Sequence, residues 1–162
     1  MAETKPPSDH PDLIVPPPVW PAIALVLAIA LEWLAPIRFL AEGLGWQFWL
    51  GLALSVLAIG IAIMAARAFH RAGTQVDPGR PSTTVVAGGP FAVVRNPIYV
   101  GFLLLLAGVS LVVGLAWGLL LIPALWLSLH FFVVVREERY LHGKFGETYD
   151  AYRRKVKRWG LF

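Results

Sequence analysis

Apolar residues in this chain come in long uninterrupted blocks, and that blocking restricts it to helices that cross or bury something apolar. The runs extend from Val19 to about Leu40, from Trp46 to about Ala68, from Ile98 to Val113 and from Trp117 to Val135. About 20 apolar residues in a helix match the ~30 Å hydrocarbon core of a bilayer, and period-two alternation, the mark of a strand, is lacking. The expected fold is therefore all-α and integral to a membrane: a four-transmembrane-helix bundle followed by a cytoplasmic amphipathic C-terminal helix. With 162 residues, 57% of them hydrophobic, there is room for one such unit, placed at 19–162. Residues 1–18 hold six prolines among mixed charges, a composition that builds no core, and are expected to form a disordered tail. No cleavable signal peptide is expected, because the apolar run begins only after these prolines.

Composition narrows the chemistry further. There is no cysteine, so disulfides, thiolate metal sites and a cysteine nucleophile are excluded, and the scattered histidines lack metal-ligand spacing. No metal is expected. The net charge is +4, but the excess lies beside apolar runs, where anionic lipid head groups are nearer partners than nucleic acid.

The first run carries Trp20 and Trp33 as interfacial anchors, and Glu32 beside Trp33 and Pro36 is expected at head-group level. A short connection, Ala41 to Gly45, makes the first two helices an expected antiparallel pair. In the second run Gly51, Ser55, Ala58 and Ala62 recur at helical spacing and would admit a close neighbouring helix. Phe69 to Pro97 then forms a long polar loop, of a length that is usually functional when it lies in so small a protein. Asn96 is expected to cap the third helix with Pro97 at its first position. After Val135, Phe145, Tyr149, Tyr152, Val156 and Trp159 form an aromatic stripe. Arg153, Arg154, Lys155, Lys157 and Arg158 fill the remaining positions, as in a helix lying on an anionic membrane with its aromatic face down. His130 is expected either to line an acceptor channel or to bond a backbone carbonyl.

Arginines 67, 71, 80 and 95 lie in the second loop and eight basic residues follow Val135, against Arg38 alone in the first loop. Basic residues favour the cytoplasmic side, so both termini and the two polar segments are expected there, at a bacterial inner (plasma) membrane. The segments meet at one end of helices three and four. Together they offer Arg95, Asn96, Tyr99, the Glu137-Glu138 pair and a backbone bend at Gly88-Gly89-Pro90.

Gly89-Pro90-Phe91 with Val94-Arg95-Asn96-Pro97-Ile98-Tyr99-Val100-Gly101, followed by Glu137-Glu138-Arg139-Tyr140-Leu141 and Phe145 to Tyr152, resembles the isoprenylcysteine carboxyl methyltransferase and phospholipid methyltransferase superfamily. The resemblance implies an S-adenosylmethionine-dependent methyltransferase acting on a lipid-like or isoprenoid acceptor. It implies a cofactor pocket at Gly89, Pro90, Phe91, Arg95, Asn96, Tyr99, Gly101, Glu138, Tyr149 and Tyr152, with Arg95, Glu137 and Glu138 catalytic. Arg95 would pair with the methionyl carboxylate. Successive helix residues point about 100° apart, so Glu138 is favoured to face the ligand and Glu137 to pair with an arginine. If the acceptor is an amine, His142 or a glutamate would take its proton. Many relatives have Arg-His-Pro where this chain has Arg95-Asn96-Pro97, and asparagine does not titrate near neutrality. Two other classes fit the pattern: a nicotinamide-dependent membrane reductase of related architecture and a non-enzymatic membrane subunit.

Overall fold

A computed structural model describes residues 10–11, 13–40, 44–75 and 80–160. The expected tail falls mostly outside these residues, as do 41–43 of the first connection and Asp77, Pro78 and Gly79 of the long loop. The described residues are helical with connecting turns and contain no strand. Seven α-helices follow in order: α1 Val19–Leu34, α2 Trp46–Arg71, α3 Pro97–Val113, α4 Ala116–Leu120, α5 Ile122–Leu129, α6 Val135–Phe145 and α7 Glu147–Lys155.

Proline positions explain several boundaries. α1 stops at Leu34 rather than near Leu40, because the residue before Pro36 is pushed out of the helical region. Pro97 opens α3 at the position where its missing N–H costs nothing. The fourth run is not one helix: it breaks at Leu121 before Pro123, resumes as α5, and passes through a wide π-helical turn at His130–Val134 into α6. Such a turn inserts a residue and rotates everything after it by about 100° relative to a regular helix. That rotation sets which way Glu137 and Glu138 face.

Helix pairing departs from the expectation. α2 packs along α3, whereas α1 packs on α4 and α5 rather than on α2. Glycine decides the first contact. A Cβ on Gly51 would come 2.6 Å from the Gly108 carbonyl, and one on Gly108 would collide with the Ser55 hydroxyl. Ala58 and Ala65 continue this stripe, both buried, while Ala62 points outward. The backbones approach so closely only because no side chain stands between them. Ala24 and Ala28 are the buried residues of α1, and Ala24 joins the core that holds Leu125, Leu129 and Val133.

Most of the large apolar residues of α1 and α2 face outward, among them Val26, Ile29, Val56, Ile59 and Ile63. α2 is long and apolar enough to cross a membrane, with 17% of its apolar window buried. The core helix of a soluble protein has the opposite distribution. α1 and α3 are shorter, at 16 and 17 residues.

Candidate functional site

The site lies where the N-terminus of α3 meets α6, α7 and the loop after α2. Gly89, with φ +61°, turns the chain into a short 3-10 segment, Gly89–Ala92. That turn buries Phe91, whose ring meets Phe69 edge-on at 5.0 Å. Arg95 and Asn96 follow directly. Asn96 occupies the position before α3 but its side chain makes no cap; its amide instead donates to the Arg158 carbonyl at 3.0 Å. The Arg95 N–H donates to the Lys157 carbonyl, also at 3.0 Å. The C-terminal segment is thus clasped to the start of α3 by two backbone carbonyls.

This clasp changes the reading of the aromatic stripe. α7 ends at Lys155 and Val156 is extended, so the stripe does not continue as a helix. Tyr149, Val156 and Trp159 are buried against the protein, not directed at a membrane surface. Tyr152 donates to the Phe91 carbonyl at 2.7 Å. Trp159 donates to His130 Nδ1 at 3.2 Å, which makes that nitrogen the acceptor and gives His130 a tryptophan partner, where a backbone carbonyl or a channel was expected. Arg153, Arg154, Lys155 and Lys157 remain exposed, but Arg158 turns inward.

Arg158 binds Glu138 through Nε to Oε1 at 3.0 Å and Nη2 to Oε2 at 2.6 Å. Arg95 Nη1 lies 3.0 Å from the same Oε1. This approach is off the hydrogen-bonding direction, so Arg95 Nε and Nη1 stay buried without a hydrogen-bond acceptor. Glu137 turns elsewhere and accepts from the Tyr99 hydroxyl at 2.5 Å. The glutamate held by arginines is therefore Glu138, where Glu137 was expected to take the arginine, and both line the same cavity. The physical reason is tertiary: Arg158 comes from a segment whose path the helix period of α6 does not reveal.

Burial, with the Glu138 charge adding and the Tyr99 hydroxyl opposing, raises the Glu137 carboxyl to about 7. Burial likewise pushes the Tyr149 phenol up to about 12, Glu138 adding to the rise, and raises Tyr152. The hydrogen bonds to Glu138 hold the Arg158 guanidinium above its ordinary range. Burial thus favours the neutral form of the Tyr149 and Tyr152 phenols and of the Glu137 carboxyl.

These groups wall an open-mouthed cavity, about 860 Å³ of empty space counting the solvent in its mouth. Phe91, Arg95, Asn96, Tyr99, Glu137, Glu138, Tyr149 and Tyr152 line it together. Gly89, Pro90 and Gly101 do not: Gly89 makes the turn, and Gly101 faces α2, where a Cβ would meet the Ala58 carbonyl at 3.5 Å. His142 is exposed and bonds Asp150 at 3.1 Å, away from the cavity. Sequence reasoning missed Arg158 as the partner of Glu138, and also Phe69 at the end of α2 and Thr84 to Val86, which form the loop wall. The short apolar pair Val85-Val86 inside a polar loop is the one available signal for that wall. Ser82 N–H donates to the Tyr140 hydroxyl at 3.1 Å, tying the loop to α6.

Residues 46–148 match the phospholipid methyltransferase family. The chain belongs to this family. The match runs from α2 through α6 and stops short of Tyr149 and Tyr152 on α7, and the superfamily resemblance is borne out. A protein-S-isoprenylcysteine O-methyltransferase of Schizosaccharomyces pombe is 35% identical over 72 residues, 44% of this chain and 30% of that enzyme. The chain thus spans less than a third of that curated relative. An uncharacterized protein of Haemophilus influenzae is 44% identical over 57 residues, covering 30% of this chain and 90% of that protein. No solved structure matches.

Proposed function

We propose that this family member is a membrane-embedded methyltransferase that takes its methyl group from S-adenosylmethionine and gives it to a lipid-like or isoprenoid acceptor. In this reading α1, α2, α3 and the run from Trp117 to Val135 form four spans, with the cavity and both termini on the cytoplasmic side of a bacterial inner membrane. The outward apolar surface of α1 and α2 and the basic residues flanking the cavity support it.

The observation that carries the proposal is Arg95. A guanidinium whose buried Nε has no acceptor, and whose Nη1 meets only an off-line Glu138 oxygen, gains from a ligand that supplies one. A carboxylate does so with matching geometry, and the methionyl end of S-adenosylmethionine bears one. The rest of the wall fits the same molecule. Glu137 accepts hydrogen bonds from an ammonium or ribose hydroxyls, and Phe91, Tyr149 and Tyr152 offer aromatic faces to adenine or to the sulfonium. When bound, the cofactor supplies an electrophilic methyl carbon beside a good leaving group.

The protein is then left with alignment and exclusion of water rather than activation. Arg95 fixes one end of the cofactor. The segment from Val156 to Trp159 is clasped to α3 and α6 beside the site, and Arg158 holds Glu138 in orientation. For an acceptor that loses a proton, Glu137 is the group on the wall able to take it near neutrality. An acceptor carboxylate needs no such base.

Calorimetry of the detergent-purified protein tests the reading. S-adenosylmethionine or its demethylated product should bind, and Arg95→Ala should weaken that binding at least about tenfold, or 1.4 kcal/mol. Binding of NADPH with no heat from either methyl-cycle ligand would overturn it.

A further inference from the structure

A second cavity lies at the opposite end of α3, lined by Leu111 to Gly114, and reaches across to Glu32, Ile37 and Gln47. With 17 residues, α3 separates it from Arg95 by about 25 Å along the bundle. No step at the candidate active site uses it.

Its chemistry centres on Glu32. This carboxylate occupies the last turn of α1, where the helix dipole disfavours an anion. One oxygen, Oε1, accepts from the Ile37 N–H at 3.2 Å and so pins the turn that follows the helix. The other, Oε2, is buried and has no hydrogen-bond partner. Glutamine at this position would pin the turn equally well. The second oxygen therefore needs a separate account, since a buried acceptor left without a donor costs about 1–3 kcal/mol. Gln47, 3% exposed, and Arg38 add polar side chains to a wall otherwise made largely of Ile37, Leu40, Leu44, Phe48 and the end of α3. A recess with both polar and apolar walls, at the end of helices whose outer surface is apolar, matches an amphiphile: alkyl groups on the apolar wall and a hydrogen-bond donor on Glu32.

We propose that this cavity is a lipid-binding site that selects head groups bearing an N–H or O–H donor, through the free oxygen of Glu32. The site is separate from the methyl-transfer cavity, and in the topology above it opens to the opposite leaflet. A head group whose nitrogen is fully methylated offers no donor and is disfavoured.

Native mass spectrometry of the detergent-purified full chain, titrated with phosphatidylethanolamine, phosphatidylglycerol and phosphatidylcholine of identical acyl chains, tests this. The expected result is retention of the ethanolamine and glycerol lipids at least threefold above the choline lipid. Glu32→Gln keeps an oxygen for the Ile37 N–H but replaces the free acceptor by a donor, and should abolish the preference. Gln47→Leu, which leaves the Glu32 turn intact, should weaken retention of both donor lipids. Glu138→Gln, at the other end of the bundle, should leave the preference unchanged. Free ethanolamine and glycerol as competitors separate head-group recognition from amphiphile binding: neither should displace the lipids at equimolar concentration. Equal retention of all three lipids by the wild-type protein, a preference that survives Glu32→Gln, or one that is lost in Glu138→Gln would each overturn the proposal.

Discussion

Arg158 holds both carboxylate oxygens of Glu138, at 3.0 and 2.6 Å, across a separation of 20 residues. This bidentate pair closes the C-terminal segment onto α6, while Asn96 and the Arg95 backbone bind the same segment to α3. Removing Arg158 leaves Glu138, 7% exposed, with Arg95 as its remaining arginine partner. Arg158→Ala should lower stability by about 2 kcal/mol, read from thermal unfolding in detergent, and should expose the C-terminal segment to limited proteolysis. Arg158→Lys keeps the charge but not the fork and should fall between. An unchanged melting temperature in both variants would mean that the pair is not holding the segment.

Glu137 predicts the pH dependence of stability. Its folded value of about 7 lies above its ordinary 4.5, so between these values the folded state binds more protons than the unfolded state. Stability is then greatest below pH 4.5 for this group and falls as pH rises through 7, by up to about 3 kcal/mol. Denaturant titrations between pH 5 and 8 should show this fall in the wild-type protein and a flatter profile in Glu137→Gln. Equal slopes would remove Glu137 as the cause.

The α2 to α3 contact predicts opposite outcomes for two glycines of these apolar helices. Gly108→Ala would drive a methyl into Ser55 and to within 2.7 Å of the Gly51 carbonyl, and should cost about 1–3 kcal/mol. Gly60 has nothing within 4 Å of its Cβ position. Gly60→Ala should be neutral or stabilise by up to about 1 kcal/mol through helix propensity. Similar losses for both would show that the close approach is absent.

Tyr152 joins α7 to the 3-10 turn through its 2.7 Å bond to the Phe91 carbonyl. Tyr152→Phe keeps the ring and removes the bond, so it should cost about 1 kcal/mol of stability. Cofactor affinity should fall less than in Arg95→Ala, as measured by calorimetry. A tenfold or larger loss of affinity with unchanged stability would assign the hydroxyl to the ligand instead.

Much of the helix layout was written in the sequence because it depends on local chemistry. Block hydrophobicity set the helix class, Pro36, Pro97 and Pro123 set boundaries, and Gly89 set the turn before the site. The two polar motifs were enough to gather Arg95, Tyr99, Glu137, Glu138, Tyr149 and Tyr152 around one cavity. Partner choice within that set was not legible. Helical period says that Glu137 and Glu138 diverge, but an inserted residue in the π-helical turn fixes their absolute direction, and nothing local announces it. The aromatic stripe after Phe145 gave a correct apolar face and a wrong surface for it, because periodicity is the same whether lipid or protein covers the face. Pairing of α2 with α3, the inward turn of Arg158 and its grip on Glu138 arise between residues far apart in the chain. Those interactions were decided only when the backbone packed, since their energy depends on which surfaces meet and not on the order in which the residues occur.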